Sequence, residues 1–491
     1  MLFNSATFAI FLPAALGIWW FLRILLIKYW HIIDFNWSIK GLILIIYLLA
    51  TSAAFYCFWN PYYFLLLLWI ALVDYSLARL LGALIFQGWR RFALGLSLAN
   101  SLGILFFFKY GHFIAENWSI IFNLTTPDTL FGAHWLLPVG ISFYTFQSIS
   151  YMVDVYKREL EPERQFLSYL LFLSFFPQLV AGPIVTAKSF LPQIRRPLPF
   201  LRIPVLFAVF LILLGLFKKM VLADHLSETS DFVFLRPTEV SAKALWIGMF
   251  SYSLQIYCDF SGYTDIAQGT ALLFGFRLPE NFKMPYLANG FSEFWTRWHI
   301  SLSQWLKKYI YISLGGNRIG PLLTYRNLFL VMAIGGFWHG ASWNFIIWGS
   351  CHGILLILER RTQGNRLWNF SWMRPFRILG TFVLVSLLWI FFRSIDFANS
   401  LCYLQGLFTQ KEGFSLPYTM EKTFLYCLLV IIIGHILGNF YFKDNKQLLG
   451  VFEKWQNSLG KTVFLGVLAS IFIILVVLFS ADSKPFVYFV F

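Results

Sequence analysis

Gly41-Leu42-Ile43-Leu44-Ile45-Ile46-Tyr47-Leu48-Leu49-Ala50, continued by Thr51-Ser52-Ala53-Ala54-Phe55-Tyr56-Cys57-Phe58-Trp59, carries no charged side chain over nineteen positions. About 20 apolar helical residues cross the hydrocarbon of a bilayer, so this stretch reads as a membrane span. Similar runs lie near 7–22, 62–86, 92–108, 135–156, 200–217, 243–258, 326–345, 376–392, 423–442 and 463–480. The chain of 491 residues is 59% hydrophobic and 12% charged, whereas a soluble domain is about a quarter charged. Its 57 Phe and 20 Trp suit lipid contact and interfacial belts. The expected fold is all-α: a polytopic integral membrane protein of about 11 spans in one membrane domain, 1–491. Met1 to Ser5 lack the basic region of a cleavable signal, so the first run is expected to be kept.

The formal net charge of +15 sits in clusters between apolar runs, as in loops that obey the positive-inside rule, and does not point to nucleic acid. Arg23, Lys28 and Lys40; Arg90 and Arg91; Lys157, Arg158 and Arg164; and Arg360, Arg361, Arg366, Arg374 and Arg377 all fall on one side if both termini face outward. The loop from Gly111 to His134 carries acids instead, and the middle of the chain, 165–326, does not resolve by this rule. Five scattered cysteines with no C-x-x-C pair read as small core residues, with no metal site expected.

Segments 165–187, 259–276 and 291–314 are apolar but interrupted by Pro, Gly or charges. They read as re-entrant or in-plane pieces, which a membrane tolerates where protein or a water-filled cavity satisfies the backbone. Polar groups at such depth are functional candidates. His339, in Gly335-Gly336-Phe337-Trp338-His339-Gly340-Ala341-Ser342-Trp343-Asn344, is flanked by a large ring and a glycine. Histidine suits proton transfer near neutral pH, although a packed, hydrogen-bonded histidine also fits. Gly336 with Gly340, and Gly349 with Gly353, have the spacing of close helix contacts.

In Phe291–Trp305, a continuous helix would put Trp295 and His299 on one face and pair Glu293 with Arg297. Trp295, Trp298 and Trp305 suit an interfacial element, and Lys307, Lys308 and Arg318 suit a polyphosphate or a snorkelling basic fringe. Tyr257-Cys258-Asp259-Phe260-Ser261-Gly262-Tyr263-Thr264-Asp265 sets two carboxylates beside an apolar run. They require pairing, protonation or solvation, and they suit either a tunnel lining or the support of a broken helix. Phe175–Ile184 and Leu137–Gln147 read as chain breaks, the latter with hydroxyls able to face a cavity. His352 lies thirteen residues beyond His339, about 220° around a continuous helix, and is expected to point away from it unless the helix breaks.

Together these stretches, with the opening Met1-Leu2-Phe3-Asn4-Ser5 and the closing Pro485-Phe486-Val487-Tyr488-Phe489, resemble the membrane-bound O-acyltransferase family. The similarity is to the branch that includes the membrane component of alginate O-acetylation and its peptidoglycan-modifying relatives. It covers essentially the whole chain and implies a tunnel through the protein, with the catalytic core at about 135–360. It implies His339 as the catalytic residue, acting as base or as transient acyl carrier, with His299 assisting. Trp295, Trp298, Trp338, Asn344, Asp259, Tyr257, Lys307, Lys308 and Arg318 are the expected substrate-binding set. Acetyl-CoA, or an acyl carrier, is the expected donor, with no bound cofactor. The implied setting is the bacterial inner membrane and its lipid, with a separate extracytoplasmic acyltransferase as partner. A lipid, teichoic acid or protein acceptor is the alternative, and a small-molecule transporter is the rival from another class.

Overall fold

A computed structural model describes residues 1–30, 39–122, 137–199, 202–362, 370–409, 412–441, 445–455, 459–480, 484 and 486. Among these the structure is helical, with a single isolated β-bridge between Val240 and Phe414. Among the described residues, six helices are long and apolar enough to cross a membrane: Ala6–Leu26, Pro61–Ala83, Gln87–Phe122, Val205–Phe234, Ser371–Arg393 and Tyr418–Phe440. Gly41–Cys57 and Ala469–Phe479 are shorter apolar helices. Many large apolar side chains, among them Ile10, Phe92, Ile120, Leu429 and Phe440, point outward, which lipid accepts and water does not. The protein is a multi-pass membrane protein.

Three further expected runs are helical in whole or part but are not among these spans. Residues 135–156 contribute the helix Ile141–Tyr156, 243–258 lie inside the longer helix Ala242–Leu273, and 326–345 is broken. The acidic loop expected after residue 110 is helical as far as Phe122, entered through a π-helical turn at Phe106–Tyr110.

The described chain forms two compact units. The first comprises Met1–Ala208 with Ala267–Pro279. Its helix Pro61–Ala83 starts where Asn60 accepts from the Tyr62 amide at 2.9 Å, with Pro61 at the first helical position, a position that needs no N–H donor. Arg90 is buried and donates to the carbonyls of Leu81 and Tyr156. One guanidinium thus serves the C-terminal ends of two helices, where a cation is favoured. Asp74 is fully buried and accepts from Ser97 Oγ at 2.6 Å and from Ser148 Oγ, linking three helices. Asp74→Ala should lower stability by about 1–3 kcal/mol through the hydroxyls it strands, read as a reduced Tm of the detergent-solubilised protein. The two Pro/Gly stretches meet here: the chain breaks at Phe175, and Gly140, at φ +77°, lies where a Cβ would sit 2.3 Å from the Leu179 carbonyl oxygen. Only glycine fits that approach and that conformation.

The second unit comprises Val209–Ile266 with Glu280–Phe491. Gly215 and Gly262 let two helices touch backbone to backbone. Beside them, a π-helical turn at Phe217–Ala223 presents Lys218 to Asp265 at 2.7 Å, and Lys219 to both Asp224 at 2.7 Å and Asp259 at 2.8 Å. The expectation of an interrupted segment at 259–276 is corrected. The helix Ala242–Leu273 runs through it unbroken, because lysines from the neighbouring segment neutralise the carboxylates that would otherwise disfavour burial.

Candidate functional site

The candidate site lies within the second unit. His339 is the last residue of the helix Pro321–His339; Gly340 is extended, and a new helix runs from Trp343 to Thr362. The two arms form a hairpin closed at Gly336 and Gly349, whose Cα atoms are so near that neither position has room for a Cβ. The break leaves His339 at a helix end, 5% exposed and surrounded by rings. Trp338 lies at 4.8 Å between centroids, Phe392 at 5.1 Å and Trp348 at 5.2 Å, with interplanar angles of 72°, 70° and 89°.

The continuous-helix readings are corrected. His352 does not point away: the hairpin turns it back, and its ring meets Trp348 at 4.9 Å, the same indole that touches His339. Trp295 and His299 do not share a helix face either. The helix Phe291–Arg297 ends before His299, which takes a left-handed conformation at φ 41°, ψ 55° before the helix Ile300–Leu306. That conformation is uncommon outside glycine. It is held by Asn281, whose carbonyl accepts from the Ile300 amide at 3.0 Å and whose Oδ1 accepts from the Ser301 amide at 3.1 Å. The Glu293–Arg297 pair forms as expected, at 2.5 Å.

His299 is fully buried, against Phe260 at 4.7 Å and Trp338 at 6.1 Å. Trp338 therefore touches both histidines, and the two histidine-bearing stretches converge on one indole. Buried strain of the kind seen at His299 persists where surrounding structure enforces it, often at functional sites.

The other expected residues are distributed around this pair. Trp298 is buried among Phe282, Phe294 and Trp389. Trp295 contacts Trp348 and His352. Asn344 donates from Nδ2 to the Ser394 carbonyl at 3.2 Å, tying the hairpin turn to the end of the helix Arg374–Arg393. Tyr257 packs on His435 at 4.7 Å, with Lys218 Nζ 5.8 Å from its ring, and Asp259 is engaged by Lys219. Lys307 and Lys308 lie on a π-helical turn, Lys307–Tyr311. Arg318 is exposed on a glycine turn that Asn327 Nδ2 secures through the carbonyls of Leu314 and Gly316 at 3.1 and 3.0 Å.

Sequence reasoning missed Trp348, Trp389, Phe392 and Asn281. Only the i, i+4 spacing of Trp348 and His352 hinted at a shared face. Phe486 of the closing stretch, and Lys484 just before it, also belong here: Lys484 pairs with Asp231 at 2.7 Å, and Phe486 packs on Phe260 and Tyr263. The rest of that stretch, Pro485 and Val487–Phe489, lies outside the described residues.

Fold and site together describe an integral membrane protein with a buried two-histidine site. Comparison with known proteins specifies it further. The model of the membrane-bound O-acyltransferase family matches residues 157–405. A peptidoglycan O-acetyltransferase of Helicobacter pylori is 37% identical over 445 residues, 80% of this chain and 83% of the relative. A probable alginate O-acetylase of Pseudomonas putida is 39% identical over 352 residues, 71% of each chain. A teichoic acid D-alanyltransferase of Bacillus subtilis is 27% identical over 256 residues, half of this chain and 64% of the relative. The chain belongs to the membrane-bound O-acyltransferase family, and it is an O-acyltransferase.

Proposed function

We propose that the protein takes an acetyl group from a cytoplasmic thioester, acetyl-CoA, and passes it through the bacterial inner membrane for O-acetylation of a cell-surface polysaccharide such as peptidoglycan or alginate. The observation that carries this reading is the convergence of His339 and His299 on Trp338, in a chain whose more similar relatives are named for those two polymers. The relative named for teichoic acid matches less of the chain at lower identity, which favours the polysaccharide reading.

In the chemistry proposed, an acceptor hydroxyl attacks the thioester carbon and the carbonyl electron pair moves onto oxygen. Collapse of that intermediate breaks the C–S bond and releases the thiolate. His339 takes the hydroxyl proton and returns it to the leaving sulfur; in the alternative route the same imidazole instead carries the acyl group transiently. His299 orients the acceptor. A separate extracytoplasmic acyltransferase receives the group and delivers it to polymer.

The test gives the purified protein in nanodiscs acetyl-CoA, with and without the extracytoplasmic acyltransferase partner, and follows free thiol. Release that requires His339 supports the reading, and no release in either condition would overturn it. Lys307, Lys308 and Arg318 are proposed to hold the donor's phosphates. Lys307→Glu with Lys308→Glu should raise KM for acetyl-CoA by about tenfold, about 1.4 kcal/mol of binding, with kcat little changed, the pattern of lost uniform binding. Thiol-release kinetics across donor concentrations check it.

A further inference from the structure

One set of buried polar atoms in the second unit has no role in the chemistry above. The indole N–H groups of Trp295 and Trp348 and both ring nitrogens of His352 are buried with no hydrogen-bond partner in the protein. The three side chains are contiguous: Trp348 meets His352 at 4.9 Å and Trp295 at 5.8 Å, and Trp295 meets His352 at 5.1 Å. Trp348 is 1% exposed and His352 is fully buried. Trp348 is also the ring that abuts His339 at 5.2 Å.

Buried polar groups in proteins are nearly always hydrogen-bonded, and three adjacent residues that break the rule call for a common ligand. An indole N–H is a donor only, so the surplus is of donors, and its complement is an acceptor oxygen. Acyl transfer at His339 creates such an oxygen: as the acceptor hydroxyl adds to the thioester carbon, the carbonyl pair moves onto oxygen until the C–S bond breaks. Donors fixed beforehand in a site screened from water stabilise that charge more effectively than water does.

We propose that the indole N–H of Trp348, assisted by that of Trp295, hydrogen-bonds the acyl oxygen during transfer, and that His352 is a positioning residue that holds the Trp348 ring. This rests on the acyl-transfer reading and adds to it the residues that bind the thioester carbonyl. His339 and Trp348 then divide the reaction, one handling the proton and the other the charge on oxygen.

Trp348→Phe keeps a ring in the cluster and deletes the donor. In nanodiscs with acetyl-CoA and the extracytoplasmic acyltransferase partner, kcat for thiol release should fall by about 10²-fold, the size of effect seen when one such donor is lost, with KM for acetyl-CoA unchanged. His352→Phe should give a smaller loss of kcat, and His352→Gln should restore part of it. Wild-type kcat in Trp348→Phe would overturn this inference and leave the acyltransferase reading intact. Absence of thiol release from the wild type would instead remove that reading, and the inference with it. If Trp348→Phe does not accumulate, Trp295→Phe decides by the same split: a reduced kcat at constant KM supports the assignment, and an unchanged kcat overturns it.

Discussion

His339→Ala is expected to reduce thiol release from acetyl-CoA by between about 10² and 10⁴-fold, the contribution of a positioned general base, while the protein still accumulates and runs as a single species on size exclusion. The expectation of intact folding comes from location. His339 ends its helix instead of lying inside it, and Gly340 already leaves the helical path. Its neighbours Trp338, Trp348 and Phe392 also contact other partners: Trp348 packs on Trp389 and Phe392 on Phe345. The ring cluster therefore keeps most of its contacts when the imidazole goes. A loss beyond this range would favour the covalent role, in which His339 carries the acyl group; rapid-quench detection of an acyl-protein in the wild type distinguishes the two. Activity within tenfold of wild type would show that the base lies elsewhere.

Gly349→Val is expected to be the most damaging substitution of stability. A Cβ at Gly349 would lie 2.3 Å from the Met332 carbonyl oxygen and 2.9 Å from the Gly336 Cα. Both are backbone atoms of the other hairpin arm, so no rotamer change makes room. The arms must part, and helices in a membrane associate mainly through close packing. A cost of about 3 kcal/mol, at the upper end for overpacking, should appear as a large drop in Tm and poor recovery from detergent. Gly434→Val is the matched control: a Cβ there meets nothing within 4 Å, and its effect should be slight. Equal behaviour of the two variants would mean that the hairpin does not depend on the glycine contact.

Composition and run length made the membrane class legible, because lipid demands long apolar helices and few charges. The two histidines were legible because each interrupts an apolar run beside Trp and Gly. What escaped was decided by tertiary partners. Nothing local announces that Lys218 and Lys219 will meet Asp265 and Asp259, so the helix through those carboxylates looked interrupted when it is continuous. Nothing local fixes the break after His339 either, since Ala341 and Ser342 are compatible with a helix. Once the chain turns there, Trp348 and His352 swing round to the same cluster, and a residue expected to face away becomes a neighbour. His299 owes its left-handed backbone to Asn281, eighteen positions earlier in sequence, a contact outside the reach of any periodicity.

The lysine between two carboxylates also bears on how the chain is made. Val205–Phe234 carries Lys218, Lys219 and Asp224, and Ala242–Leu273 carries Asp259 and Asp265. Released singly into lipid, the first would bring Lys218 bare, with Lys219 keeping Asp224 of its own segment, and the second would bring Asp259 and Asp265 bare, at about 2.5–3.5 kcal/mol apiece at the helix centre. Paired, the lysines neutralise Asp259 and Asp265 across the two segments. Few residues separate the segments in sequence, so the second leaves the ribosome soon after the first. Insertion is therefore expected to be a joint event, with the first segment waiting in the translocon until its counterions arrive. A ribosome-bound intermediate truncated between the two should remain extractable by alkali.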